Sequence, residues 1–141
     1  MTYNGSLDTN VLLRFIVDDI PDQTSQAVAL ISQPARRYQV ADAVWIEIAY
    51  ALEHHYLMKR ADISQAITSM LEIDCLVTNQ NVITQSCADF HAHPMLSFAD
   101  CYLSAHARNN AATPLFTFDR KLANQLAGAA PVPMHGHPST A

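Results

Sequence analysis

Apolar positions recur at two periods along the chain, and the switches between them divide it into elements. Tyr3 to Leu7 is a short run that reads as a strand and stops at Asp8. From Thr9 to Val17 the spacing turns helical, with Val11, Leu12, Phe15 and Ile16 on one face. Pro21 interrupts, because proline disfavours helix at the residue before it. A second helix is predicted from Asp22 to Ser32, with Ala27, Leu30 and Ile31 inward, and Pro34 ends it. Tyr38-Gln39-Val40 alternates as a strand. The longest helix is predicted from Asp42 to Met58, where Trp45, Ile48, Ala49, Leu52 and Tyr56 form a core stripe.

A fourth helix is expected over Asp62 to Ile73, with Asp62 as its N-cap and Gln65 closing a capping box. Cys75 to Val77 is the third strand. Helices follow from Asn79 to His91 and from Ser97 to Arg108, with Phe98, Cys101, Tyr102 and Ala105 inward on the second. Pro114 to Thr117 is the fourth strand, and Arg120 to Ala127 the last helix, closed by Gly128. Val132-Pro133-Met134 is expected as an edge strand, where proline is tolerated. Strands alternating with helices predict an α/β fold in three layers, with a mostly parallel sheet of four or five strands between helices. Residues 1–134 read as one domain, and 135–141 as a loose tail.

Composition supports a packed domain. Half of the 141 residues are apolar and 15% are charged. No apolar run reaches membrane-spanning length, and the N-terminus lacks a signal-peptide pattern. Cys75, Cys87 and Cys101 are odd in number and lack Cys-x-x-Cys spacing, so they read as buried thiols in a reducing cytoplasm. The net charge of −5 argues against a broad basic platform for nucleic acid. It does not exclude a nucleic-acid enzyme, because a bound divalent cation offsets acids in its own site.

Four acids carry the candidate chemistry. Asp8 and Asp119 each follow a strand and precede a helix, where open α/β sheets place their ligands. Each is also a competent N-cap. Asp100 closes Ser97-x-x-Asp100, a capping-box pattern. Glu47 lies within a helix and off its core stripe, so capping does not account for it. Taken together, the four read as one metal cluster at one sheet edge, with helix N-termini partly offsetting their mutual repulsion. Oxygen-only ligands select Mg²⁺ or Mn²⁺ over zinc. The chemistry that follows is metal-assisted attack of water on a phosphodiester.

In order and spacing, Leu7-Asp8-Thr9-Asn10-Val11-Leu12, Val44-Trp45-Ile46-Glu47-Ile48-Ala49, Phe98-Ala99-Asp100 and Thr117-Phe118-Asp119-Arg120-Lys121-Leu122 resemble the PIN-domain ribonucleases. The likeness runs from Gly5 to Leu126 and is strongest to VapC-type toxins of toxin–antitoxin pairs. It implies Asp8, Glu47, Asp100 and Asp119 as catalytic metal ligands, Mg²⁺ as cofactor with Mn²⁺ able to substitute, and Asn10 and Thr117 as supporting residues. It also implies an RNA substrate, a cognate antitoxin, a homodimer and a cytoplasmic location. Cys101 departs from the pattern where alanine is common.

Two rival readings keep the fold: a stand-alone RNA-processing nuclease, and an interaction module without activity. A phosphatase forming an aspartyl-phosphate is disfavoured, because it wants an acid where Asn10 stands. Arg14, Lys59, Arg60, Arg108, Arg120 and Lys121 are candidate cations for RNA phosphates, and Arg14, close to Asp8, is the foremost for RNA or antitoxin. The pairs His91/His93 and His135/His137 lack a third ligand and read as surface residues. His54-His55 is assigned no site.

Overall fold

The computed structural model describes residues 2–134. The predicted C-terminal tail and its His135/His137 pair lie outside the described residues. The chain divides into two compact units, Met1–Gln80 and Asn81–Ala141.

The first unit is a three-stranded parallel sheet with four helices. Its strands are β1 (Gly5–Ser6), β2 (Tyr38–Gln39) and β3 (Leu76–Val77), hydrogen-bonded in that order. The register pairs Gly5 with Tyr38 and Tyr38 with Leu76. Between β1 and β2 run α1 (Thr9–Ile16) and α2 (Pro21–Ile31); between β2 and β3 run α3 (Asp42–His54) and α4 (Arg60–Leu71). A parallel pair needs such a crossover, since a tight hairpin cannot bring the chain back in the same direction. Pro21 opens α2 as its first residue, where a missing N–H costs nothing and the fixed φ suits the helix.

Helix α3 is the spine of this unit. Trp45, Ile48 and Leu52 are wholly buried, and Val44 and Ala49 lie beside them. Trp45 Nε1 donates to Thr78 Oγ1 at 2.8 Å, and Thr78 Oγ1 donates to the Val40 carbonyl at 3.0 Å. The indole thereby links α3 to the chain just beyond β2 and β3. The helix stops at His54, four residues short of the predicted Met58. Leu57 takes a left-handed φ of 55°, and Met58 N–H reaches back to the Leu52 carbonyl at 2.9 Å. That reversal ends the helix much as a left-handed cap does.

Helix α4 starts at Arg60, two residues before the predicted N-cap Asp62. Asp62 therefore lies inside the first turn, and Lys59 precedes the helix with no side-chain cap, so the expected capping box does not form. The apolar spacing is as predicted: Ile63, Ile67, Met70 and Leu71 are buried.

The second unit holds α5 (Gln80–Ala92, entered from the first unit's last residue), α6 (Phe98–Asn109), β4 (Leu115–Thr117), α7 (Arg120–Gln125) and β5 (Ala129–Pro131). Phe90 and Phe98 meet edge-to-face with centroids 5.4 Å apart, joining α5 to α6. Arg108 is a second fastener. It donates to Ser104 Oγ at 2.7 Å, to the Ala127 carbonyl at 3.1 Å and to Asp89 Oδ2 at 2.7 Å. Strands β4 and β5 pair in parallel, Leu115 with Ala129 through Thr117 with Pro131.

Two expectations change here. The last strand is Ala129–Pro131 and not Val132 to Met134; it starts three residues earlier than predicted, directly after Gly128 at φ +83°. The parallel strands also form two ladders, one of three strands and one of two, where the sequence predicted one sheet.

All three cysteines are free thiols. Burial, with Cys101 nearby as a lesser cause, pushes the Cys87 thiol up to about 12, and burial also raises Cys75. At pH 8 only about one Cys87 in ten thousand is then a thiolate, the reactive form. Folded protein treated with iodoacetamide at pH 8 is expected to keep Cys87 unmodified, and unfolding in urea to expose it; peptide mass mapping reads both. Rapid labelling in the folded state contradicts this burial.

Candidate active site

In the first unit, Asp8 lies just beyond the carboxyl end of β1 and begins α1. Its Oδ1 accepts from Thr9 N–H at 2.7 Å. The Thr9 hydroxyl donates to Glu47 Oε2 at 2.5 Å. One threonine thus holds two acids 39 residues apart in sequence. The arrangement follows from the parallel sheet: β1 and β2 end at the same edge, so the first turns of α1 and α3 start there, and α1 packs on α3. Glu47 stands on the exposed face of α3, opposite the stripe of Val44, Trp45 and Ile48. Both acids are exposed, and neither is in an ion pair among the described residues.

The second unit presents its two acids differently. Asp119 follows β4 as Asp8 follows β1. Its Oδ1 accepts from Lys121 N at 2.9 Å and Leu122 N at 3.3 Å, so it caps α7 in fact. Thr117 Oγ1 accepts from Asp119 N–H at 3.0 Å and steadies the turn before it. At α6, Ser97 Oγ accepts from Asp100 N–H at 3.1 Å. The return bond of a capping box, from an acid to the serine N–H, is not made; the Asp100 carboxylate has no hydrogen-bond partner among the described residues. Asp100 and Asp119 are half-buried, and neither is in an ion pair among the described residues.

These acids differ in how far capping explains them. Asp119 has a full structural role through one oxygen. Asp8 bonds only to the next residue's N–H, and Asp100 and Glu47 cap nothing with their side chains. The donor set is oxygen throughout, which suits a hard divalent cation. Two carboxylates held by one threonine, one through its N–H and one through its hydroxyl, and in no ion pair among the described residues, fit that use. Among the described residues, no group of three or more His, Cys, Asp or Glu forms a ready cage for a metal ion.

Arg14 departs from the surface cation read in the sequence. It is 6% exposed, its Nη1 donates to Asp19 Oδ1, and its Nε is buried without a hydrogen-bond partner among the described residues. Tyr56 Oη donates to the other Asp19 oxygen at 2.8 Å. Contact between Arg14 and RNA or a protein partner therefore requires this pair to open. Arg60 and Arg108 are likewise paired, with Glu53 and Asp89. Lys59, Arg120 and Lys121 are exposed and in no ion pair among the described residues. Asn10 lines a cavity of about 320 Å³ between α1 and α2, shared with Arg14, Gln23 and Gln26. Its side chain makes no hydrogen bond among the described residues.

The residue that sequence reasoning missed is Thr9. Its signal was a hydroxyl directly after Asp8, read there only as the first residue of a helix.

A family model described as "PIN domain" matches residues 6–126 of the chain. The chain is also similar to a VapC ribonuclease of Aquifex aeolicus (strain VF5), with 26% identity over 117 residues, covering 82% of this chain and 87% of that protein.

Proposed function

Since the chain belongs to the PIN-domain family, we propose that it is a Mg²⁺-dependent endoribonuclease, with Mn²⁺ able to substitute, and the toxin of a toxin–antitoxin pair. The observation that carries this reading is the Asp8–Thr9–Glu47 arrangement: two exposed carboxylates held by one threonine, Asp8 through its N–H and Glu47 through its hydroxyl, with neither in an ion pair among the described residues. Support for the toxin role comes from the likeness to a protein named VapC ribonuclease.

Asp8, Glu47, Asp100 and Asp119 serve as metal ligands, direct or through water. The cation supplies polarisation of the phosphate and a lower pKa for the attacking water. The chain's own residues do the rest. Thr9 fixes the Glu47 carboxylate by donating to Oε2, which leaves Oε1 for a ligand. Asp119 has Oδ2 left once Oδ1 caps α7. Thr117 sets the backbone that aims Asp119, and Asn10 supports the site as its place in the family motif implies. No helix among the described residues is long and apolar enough to cross a membrane.

Purified protein is expected to cleave single-stranded RNA with Mg²⁺ or Mn²⁺ and to stop in EDTA, followed by gel or fluorescence assay. In cells, expression alone should arrest growth, and co-expression of the adjacent small gene should restore it. Full cleavage in EDTA, or a requirement for zinc alone, refutes the metal assignment. Cleavage in vitro by a protein harmless at high level favours the stand-alone nuclease instead.

A further inference from the structure

We infer that Tyr50, backed by His54, is a stacking platform for one base of single-stranded RNA, immediately beside Glu47. The inference rests on the ribonuclease reading above and adds a substrate contact to it.

Helix α3 has two faces. Val44, Trp45, Ile48, Ala49 and Leu52 are buried, whereas Glu47, Tyr50 and His54 are exposed. Their spacing of three and four residues puts the last three on one face. Tyr50 lies about 4.5 Å along the helix axis from Glu47, from the rise of 1.5 Å per residue. A base stacked there belongs to the nucleotide next to a phosphate held at Glu47.

The ring is built for contact. Tyr50 is 59% exposed. The His54 ring stands 4.5 Å from it, centroid to centroid, tilted by 44°, and the His55 ring meets it edge-on at 5.9 Å. The two imidazoles support the tyrosine and leave more than half of it open. Internal packing does not explain it: the Tyr50 hydroxyl has no hydrogen bond among the described residues, and tyrosine is a poorer helix former than the alanine or glutamate that an exposed helix position favours.

Charge makes such a platform useful. Most nucleic-acid affinity comes from Lys and Arg against phosphates. This chain has 8 basic residues against 13 acidic, and three of its arginines are paired internally. Affinity for a substrate must then draw on other contacts. Stacking of unpaired bases on aromatic rings is the usual one, and it tolerates any sequence because every base has a π-face.

The test measures binding of a fluorescently labelled single-stranded oligoribonucleotide by anisotropy in EDTA, where cleavage does not deplete it. Tyr50→Phe should bind as the unmodified protein does. Tyr50→Ala should bind roughly 5- to 150-fold more weakly, the range for loss of one stacked base. Tyr50 is exposed, so both variants should melt as the parent does. In a series of oligonucleotides each with one abasic ribose, one position should weaken the parent and leave Tyr50→Ala unchanged. With Mg²⁺, Tyr50→Ala should raise KM with little change in kcat. Equal binding by Tyr50→Ala, or binding by Tyr50→Phe as weak as by Tyr50→Ala, overturns the platform. So does loss of self-association by light scattering with RNA affinity intact, which would make the ring a contact between two copies of the chain. A parent protein that cleaves RNA while Tyr50→Ala matches it throughout leaves the ribonuclease reading standing. A parent that neither binds nor cleaves RNA overturns both.

Discussion

Asp8→Asn and Glu47→Gln are expected to lose RNA cleavage by about 100-fold or more while changing stability by less than about 1 kcal/mol. Loss of a partner that merely orients a metal ligand already costs about 10- to 100-fold, and these substitutions alter the proposed ligands themselves. The hydrogen bonds survive. Asparagine keeps the Oδ1 acceptor for Thr9 N–H and caps helices about as well as aspartate. Glutamine keeps an acceptor for the Thr9 hydroxyl. What each variant loses is negative charge, which a cation needs and the apo fold does not. Relief of carboxylate repulsion can even raise the melting temperature of the metal-free protein.

Asp100→Asn should behave as Asp8→Asn does. Asp119→Asn should fall less if Asp119 acts through water, and its cap on α7 should persist. Melting and cleavage are to be measured on the same preparations of all four variants. If activity falls only as far as stability does, the acids are structural and the proposed site is wrong.

Trp45→Ala should be among the most destabilising single changes in the chain, at about 3–5 kcal/mol. The indole is fully buried, and its removal leaves a cavity where α3 meets the chain beyond β2 and β3. A loss of that size takes a large share of an ordinary domain's total stability. Trp45→Phe should cost less, because most apolar contact remains and Thr78 Oγ1 keeps its bond to the Val40 carbonyl. Urea unfolding followed by circular dichroism separates the two variants by their midpoints. Equal midpoints for Trp45→Ala and the parent would mean that α3 is anchored elsewhere. Because Glu47 is only two residues from Trp45, a strained or shifted helix should also reduce cleavage in Trp45→Ala.

Most elements were legible because their apolar residues repeat at the period of the backbone that carries them. Ile63, Ile67, Met70 and Leu71 mark α4 without reference to any other part of the chain, and all four are buried. Ends were less legible. Helix α3 stops where Leu57 adopts a left-handed conformation, and nothing in the local pattern announces it. The final strand forms at Ala129–Pro131 because β4 pairs with that segment, a choice made by a partner strand and not by the proline nearby.

The candidate site divides in the same way. Asp8, Glu47, Asp100 and Asp119 stand out in the sequence by their placement after strands, at helix starts or off a core stripe, and the order of their motifs carries the family likeness. Local order sets those properties, so sequence alone determined them. The tertiary structure decided which side chains are already engaged. Thr9 meets Glu47 across 38 positions, and Arg14 turns inward to an Asp19 that also accepts from Tyr56, 37 positions along the chain. Hydrogen bonds and burial depend on what distant segments bring within about 3 Å, and no period or spacing along the chain encodes that distance.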